Sequence, residues 1–214
     1  MLNPENPIEA VALHRIVPVV VLDRAEDADP LGAALAAGGL PVAEVTFRTS
    51  AAAEAIRILA DRGDLLVGAG TVLTPTQVDQ AVDAGATFLV SPGLNPNVVK
   101  HAQDRGVPIV PGVCTPSDIE RGLELGLGLL KFFPAEAYGG VATLSAISAP
   151  YRGVRFIPTG GIGPDNVLDY LRLGAVVACG GSWMVKPSLF ADGDFSGVER
   201  AARAAVDLVA SASE

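Results

Sequence analysis

Short apolar runs rich in β-branched residues recur along the chain, and Ala- and Leu-rich segments with charges at helical spacing separate them. This alternation is what most limits the fold. The runs cover 17–22, 42–47, 65–69, 87–91, 107–110, 129–132, 154–158 and 175–179, and helical segments such as 51–62, 75–84, 97–105 and 116–125 lie between them. Apolar strands without strict alternation, each followed by a helix, predict a parallel sheet covered on both faces. Eight such units fit a closed (β/α)₈ barrel at the low end of its usual size. A doubly wound open sheet is the alternative. A further helix over 7–15 precedes the first strand and is placed to cap the barrel floor.

The punctuation agrees with this reading. Thr74-Pro75 and Thr115-Pro116 supply a hydroxyl N-cap followed by proline at the first helical position, and Gly163-Pro164 repeats the proline placement. Gly85, Gly106, Gly126 and Gly174 fall where helices end and a left-handed residue is expected. Glycine and proline are spread between the elements and are not pooled into linkers, so residues 1–214 read as one domain.

Half of the 214 residues are hydrophobic and 18% are charged, enough apolar material for a sizeable core and too much for general disorder. The formal charge of -9 argues against a nucleic-acid partner, which calls for clustered Lys and Arg. Cys114 and Cys179 have neither a disulfide framework nor metal-ligand spacing, and with no leader-like segment at Met1–Glu5 the expected setting is the cytoplasm. No apolar run is long enough to span a membrane. His14 and His101 lack spaced ligand partners, so no metal is expected. Trp183 reads as packing or interface.

In a barrel, chemistry belongs to the C-terminal strand ends and the loops that follow them. The second unit closes on Glu44-Val45-Thr46-Phe47-Arg48-Thr49. At a two-residue period Glu44, Thr46 and Arg48 share one side. The structural reading of that side is an internal Glu–Arg ion pair, and the functional reading is a base beside an anion anchor. The sixth unit, Gly128-Leu129-Leu130-Lys131-Phe132-Phe133-Pro134, sets a lysine in an apolar run. Desolvation disfavours a charged amine, and a neutral amine is a nucleophile for carbonyls. The other lysines, Lys100 and Lys186, lie in polar or loop contexts and read as solvated surface residues.

Thr159-Gly160-Gly161 follows the seventh strand and Gly180-Gly181-Ser182 the eighth, the two loops where barrels commonly hold a phosphate on backbone N–H groups. Gly68-Ala69-Gly70-Thr71 adds a hydroxyl after strand three, and Ser91-Pro92-Gly93 and Pro111-Gly112-Val113 make tight turns that shape pocket walls. Glu136, just past Lys131, is a second carboxylate, for which a helix-start acid is the expected role.

Taken in order, Glu44-Val45-Thr46-Phe47-Arg48-Thr49, Gly68-Ala69-Gly70-Thr71-Val72-Leu73, Ser91-Pro92-Gly93, Lys131-Phe132-Phe133-Pro134-Ala135-Glu136, Pro158-Thr159-Gly160-Gly161-Ile162 and Gly180-Gly181-Ser182-Trp183 closely resemble the 2-keto-3-deoxy-6-phosphogluconate (KDPG) aldolases, which also act on 4-hydroxy-2-oxoglutarate (KHG). The resemblance implies a class I aldolase built as a (β/α)₈ barrel, a homotrimer that uses no metal. It implies Lys131 as the Schiff-base lysine and Glu44 as the general acid/base. Arg48 and Thr71 would hold the pyruvyl carboxylate. Thr159, Gly160, Gly161, Gly180, Gly181 and Ser182 would line the distal phosphate site, with Pro92 and Phe133 as pocket walls. The alternatives are an aldolase preferring the 6-phosphogalactonate epimer and a non-catalytic phosphosugar-binding protein. A phosphosugar epimerase would account for the glycine loops but not for a lysine on an apolar strand.

Overall fold

The computed structural model describes residues 7–211, so residues 1–5, where no leader-like segment is expected, lie outside it. The apolar runs become β1 (Ile16–Val20), β2 (Val42–Thr46), β3 (Leu66–Gly70), β4 (Phe88–Ser91), β5 (Ile109–Val113), β6 (Leu129–Phe132), β7 (Arg155–Pro158) and β8 (Cys179–Gly181). Every residue of β1 to β5 is buried, as strands covered on both sides require. The strands pair in parallel in the order β7-β6-β5-β4-β3-β2-β1-β8. Bridges Phe156↔Val176 and Thr159↔Gly180 join the two ends. The sheet is therefore a closed barrel, and the open-sheet alternative is set aside.

Helices α1 (Pro7–His14), α2 (Ala28–Ala37), α3 (Ala52–Arg62), α4 (Pro75–Asp83), α5 (Pro96–Asp104), α6 (Pro116–Glu124), α7 (Gly140–Ser148), α8 (Val167–Leu171) and α9 (Ser196–Ala210) complete the units. Their buried residues recur at helical spacing, as with Ala52, Ala55, Ile56 and Leu59 on α3. That pattern puts one apolar stripe of the helix against the sheet. Ile8 and Val11 of α1 line the enclosed barrel interior together with Val17, Phe88 and Val110, so the first helix does close the floor.

The caps form where the sequence signals them. Thr74 Oγ1 accepts the N–H of Gln77, and Thr115 and Asp118 form a reciprocal capping box. Burial alone would raise the Asp118 carboxyl, but the N–H groups of Cys114 and Thr115 and the Thr115 hydroxyl hold it below the ordinary 3.8. Gly85, Gly106 and Gly126 take φ of +96°, +69° and +76° and close their helices in the left-handed region.

Two expected boundaries differ. Gly174 is not left-handed; its carbonyl accepts the Arg155 guanidinium. Pro164 lies in a turn ahead of α8 and does not open the helix. Asn166 organises that turn by accepting the Gly163 N–H at 2.9 Å and donating to the Gly161 carbonyl. Strands β5 and β8 also begin later than their apolar runs. Val107 still belongs to the turn after α5, its N–H bonded to the Ala102 carbonyl. Residues 175–178 are tied to β7 only through Phe156, and β8 proper pairs Cys179, Gly180 and Gly181 with Ile16, Val17 and Pro18. Gly180 and Gly181 are thus strand residues, not loop.

Candidate active site

Lys131 sits on β6, in register with Gly112 of β5 and Ile157 of β7, and its side chain is 6% exposed. A cation buried among apolar strands needs a counter-charge. The chain supplies it from β2: Glu44 Oε1 lies 3.6 Å from Lys131 Nζ, and the Glu44 side chain is 4% exposed. Glu44 therefore pairs across the barrel with Lys131 and not with Arg48 in the turn that follows its own strand. The ring of Phe133 lies beside the amine, with Nζ 5.0 Å from its centroid. At 3.6 Å the ion pair leaves Glu44 Oε1 without a hydrogen-bond partner, and Thr159 Oγ1, buried at the end of β7, is in the same condition. Buried acceptors of this kind are completed by a ligand or by solvent.

Two glycines make this packing possible by close approach. A Cβ at Gly70 would overlap the Glu44 carboxylate, and one at Gly180 would overlap the Thr159 hydroxyl. Gly68 is occupied in the same sense by the Phe88 ring, which fills the barrel interior where a side chain would otherwise stand. Thr46, predicted to share a face with Glu44, is used structurally: its hydroxyl donates to the Val20 carbonyl at 2.9 Å.

Above the pair opens a cavity of ≈ 450 Å³, lined by Arg48, Phe133, Thr159, Gly160, Gly161, Gly180, Gly181 and Ser182 among others. Thr159 borders both this cavity and the enclosed interior that holds Glu44 and Lys131, so the two spaces meet at that residue. Gly160 and Gly161 turn the chain with φ of +104° and +79°, a region closed to most side-chain-bearing residues. Arg48 reaches the cavity from the turn after β2, where strand alternation has already ended, and it is exposed.

Thr71 and Pro92 follow β3 and β4 on the same rim but line neither of these two spaces. Thr71 is left-handed with φ of +57°, and the Pro92 carbonyl passes so close to Gly112 that no Cβ fits there. Lys186, read from the sequence as solvated, is exposed yet lines the open cavity beside Ser182. Its position four residues past Ser182, outside any glycine motif, hid this. Glu136 opens the 3₁₀ turn Glu136–Tyr138, the helix-start place expected for it; its side chain accepts the hydroxyl of Tyr170 and lines neither space. Burial and that carboxylate push the Tyr170 phenol above its usual range.

Other titratable groups lie apart. Burial pushes the Cys179 thiol up to about 12. Desolvation lowers His14 on α1, and His101 on α5 bonds to Asp79 at 2.9 Å. Among the described residues no three His, Cys, Asp or Glu side chains gather as metal ligands, and no helix is long and apolar enough to cross a membrane.

A buried amine, a carboxylate within reach of it and a positively lined cavity beside both form a site for amine chemistry on the carbonyl of an anion. Comparisons with known proteins point the same way. The family described as KDPG and KHG aldolase matches residues 8–201. The 2-dehydro-3-deoxy-phosphogluconate aldolase of Treponema pallidum is 52% identical over 202 residues, 94% of this chain and 96% of that protein. The 2-keto-3-deoxy-6-phosphogluconate aldolase of Zymomonas mobilis ZM4, solved with 3-phosphoglycerate, superposes with a TM-score of 0.89 at 40% identity, covering 96% of this chain and 97% of that one. A Legionella pneumophila KDPG aldolase with pyruvate captured as a covalent carbinolamine gives a TM-score of 0.89 at 41% identity, covering 94% and 98% of the two chains.

Proposed function

This chain belongs to the KDPG and KHG aldolase family, and from that premise we propose that it is a class I aldolase that cleaves KDPG reversibly to pyruvate and glyceraldehyde 3-phosphate, and KHG to pyruvate and glyoxylate. The observation that carries the reading is the approach of Lys131 Nζ to Glu44 Oε1, 3.6 Å apart, next to the open cavity.

The reaction follows from these groups. The Lys131 amine adds to the C2 ketone, and the resulting carbinolamine loses water to give an iminium, which serves as the electron sink. Glu44, directly or through one water, takes the C4 hydroxyl proton. The C3–C4 bond breaks, its electrons pass into the iminium as an enamine, and the aldehyde leaves. Protonation at C3 and addition of water release pyruvate and restore the amine. Arg48 can meet the planar carboxylate with parallel N–H bonds and fix the ketone against the amine, with Thr71 beside it on the rim. Phe133 acts as an apolar wall, and Pro92 stands on the rim, outside the lining of the cavity. Thr159, Gly160, Gly161, Gly180, Gly181 and Ser182 offer hydroxyl and backbone donors to the phosphate at the other end of the substrate.

No metal takes part in this scheme. The resemblance also supports a homotrimer working in the cytoplasm, and sedimentation equilibrium reads the assembly directly. The decisive experiment for the reaction is borohydride reduction in the presence of pyruvate, followed by peptide mass spectrometry. A reduced pyruvyl adduct on Lys131 is expected, and an unmodified Lys131 would remove the imine mechanism.

A further inference from the structure

Most basic side chains of this acidic protein are tied to carboxylates or to backbone carbonyls. Arg62 bridges Asp29 and Asp64, Arg105 bridges Asp79 and Asp83, and Arg121, Arg172 and Arg203 each hold an acid one helical turn away. Among the described residues the side chains of Arg48, Lys100, Arg152 and Lys186 make no hydrogen bond or ion pair. Arg48 and Lys186 line the same cavity, and no Asp or Glu lines it. Two uncompensated cations around one space in a chain of net charge -9 make that space the place where an anion is favoured.

The two cations enter from different parts of the barrel. Arg48 stands in the turn after β2. Lys186 follows the short 3₁₀ turn Trp183–Val185 and has an extended backbone, φ -62° and ψ 138°. The turn starts at Ser182, directly beyond Gly180 and Gly181, so the Lys186 ammonium belongs to the glycine side of the cavity. Substrate length then separates their tasks. In KDPG the phosphate sits on C6, four carbons from the ketone that Lys131 attacks, whereas in KHG the far carboxylate is C5, directly on the carbon that bears the C4 hydroxyl. Only the phosphorylated tail extends to the glycine side once C2 is fixed at the amine.

We propose that Lys186 is a specificity-determining residue, which pairs with the substrate's terminal phosphate and favours the phosphorylated keto acid over KHG. The inference rests on the aldolase reading above and deepens it. Because the ammonium faces solvent and a flexible stem carries it, the pair contributes through charge and is weakened by salt.

The test is steady-state cleavage of both substrates by the full-length wild type, Lys186→Gln and Lys186→Arg, with Lys100→Gln as a charge-matched control on the outer face of the barrel. For Lys186→Gln, kcat/KM on KDPG is expected to fall about fivefold at low ionic strength, near the upper end for a solvent-facing charge pair, through KM with kcat retained. The ratio of KDPG to KHG efficiency falls with it, Lys186→Arg restores the ratio, and Lys100→Gln leaves it unchanged. Raising KCl narrows the gap between wild type and Lys186→Gln. An unchanged ratio in Lys186→Gln, or an equal loss on both substrates, overturns the role of Lys186 and leaves the aldolase reading standing. A wild type that cleaves neither substrate and forms no pyruvate adduct removes both.

Discussion

Lys131 Nζ and Glu44 Oε1 face each other at 3.6 Å across the barrel, one on β6 and the other on β2, which stand on opposite walls of the closed sheet. Nothing in either strand alone foretells the pairing. It depends on Gly70 leaving room for the carboxylate and on the barrel closing to bring the walls together.

The pair separates binding from turnover in a way that Glu44→Gln reads out. The amide keeps the shape of the carboxylate but cannot accept the C4 hydroxyl proton. Turnover is expected to fall by about 10²–10⁴, the usual contribution of acid–base catalysis, while borohydride still traps pyruvate on Lys131. Cleavage at the wild-type rate would take the proton-transfer role away from Glu44.

Stability of the same pair gives a second readout. Lys131→Met leaves the Glu44 carboxylate buried at 4% side-chain exposure with no counter-charge, a loss of about 3–5 kcal/mol for a broken buried ion pair. Adding Glu44→Gln removes the orphaned charge, so the double variant recovers most of that stability while remaining inactive. Urea midpoints of the three variants measure it. A double variant no more stable than Lys131→Met would mean that the two groups are not electrostatically coupled.

The fold was legible because it is written in repeated local signals. The apolar runs and the Thr74 and Thr115 caps each carry their own chemistry in adjacent residues. The nucleophile candidate was legible for a related reason, since a lysine inside 129–132 conflicts with its neighbours. What could not be read was anything set by closure. Arg48 reaches the cavity although the strand ends at Thr46, so the alternation argument put it beside the right space by the wrong geometry. Gly180 and Gly181 looked like loop because glycine weakens a strand. They are strand because they pair with Val17 and Pro18 of β1, and they are glycine because Thr159 and Trp183 occupy the volume their side chains would need. Lys186 lines the cavity together with Val185 and Pro187 of the segment after β8, which no local pattern announces.

The close approach at Gly180 predicts a selective defect. In Gly180→Ala the new methyl group meets the Thr159 hydroxyl and must displace it or the turn at Gly160 and Gly161. Overpacking of this kind costs about 1–3 kcal/mol, and the displaced residues line the end of the cavity assigned to phosphate. KM for KDPG is expected to rise about tenfold, as about 1.4 kcal/mol of lost binding would give, with pyruvate trapping at Lys131 preserved. Lowering Thr159 to alanine in the same chain frees the space and should return part of the stability but not the affinity. Measuring trapping and KM side by side distinguishes this from general unfolding, which would lower trapping and the apparent kcat and leave KM unchanged.

His14 gives the fold a pH dependence independent of the reaction. Its Nε2 is buried without a hydrogen-bond partner at the end of the helix that closes the barrel floor. Desolvation holds its folded-state pKa below the ordinary 6.5. The unfolded chain therefore binds a proton more readily than the folded one, so the stability linked to His14 is fully present above pH 6.5 and is lost as pH falls through the window between 6.5 and the lower folded value. The slope for one proton cannot exceed about 1.4 kcal/mol per pH unit. His14→Gln removes the titration, so its urea midpoint should fall less than that of the wild type between pH 7.5 and 5.5. Parallel pH profiles for the two proteins would mean that the imidazole takes up its proton as easily in the folded barrel as in the open chain.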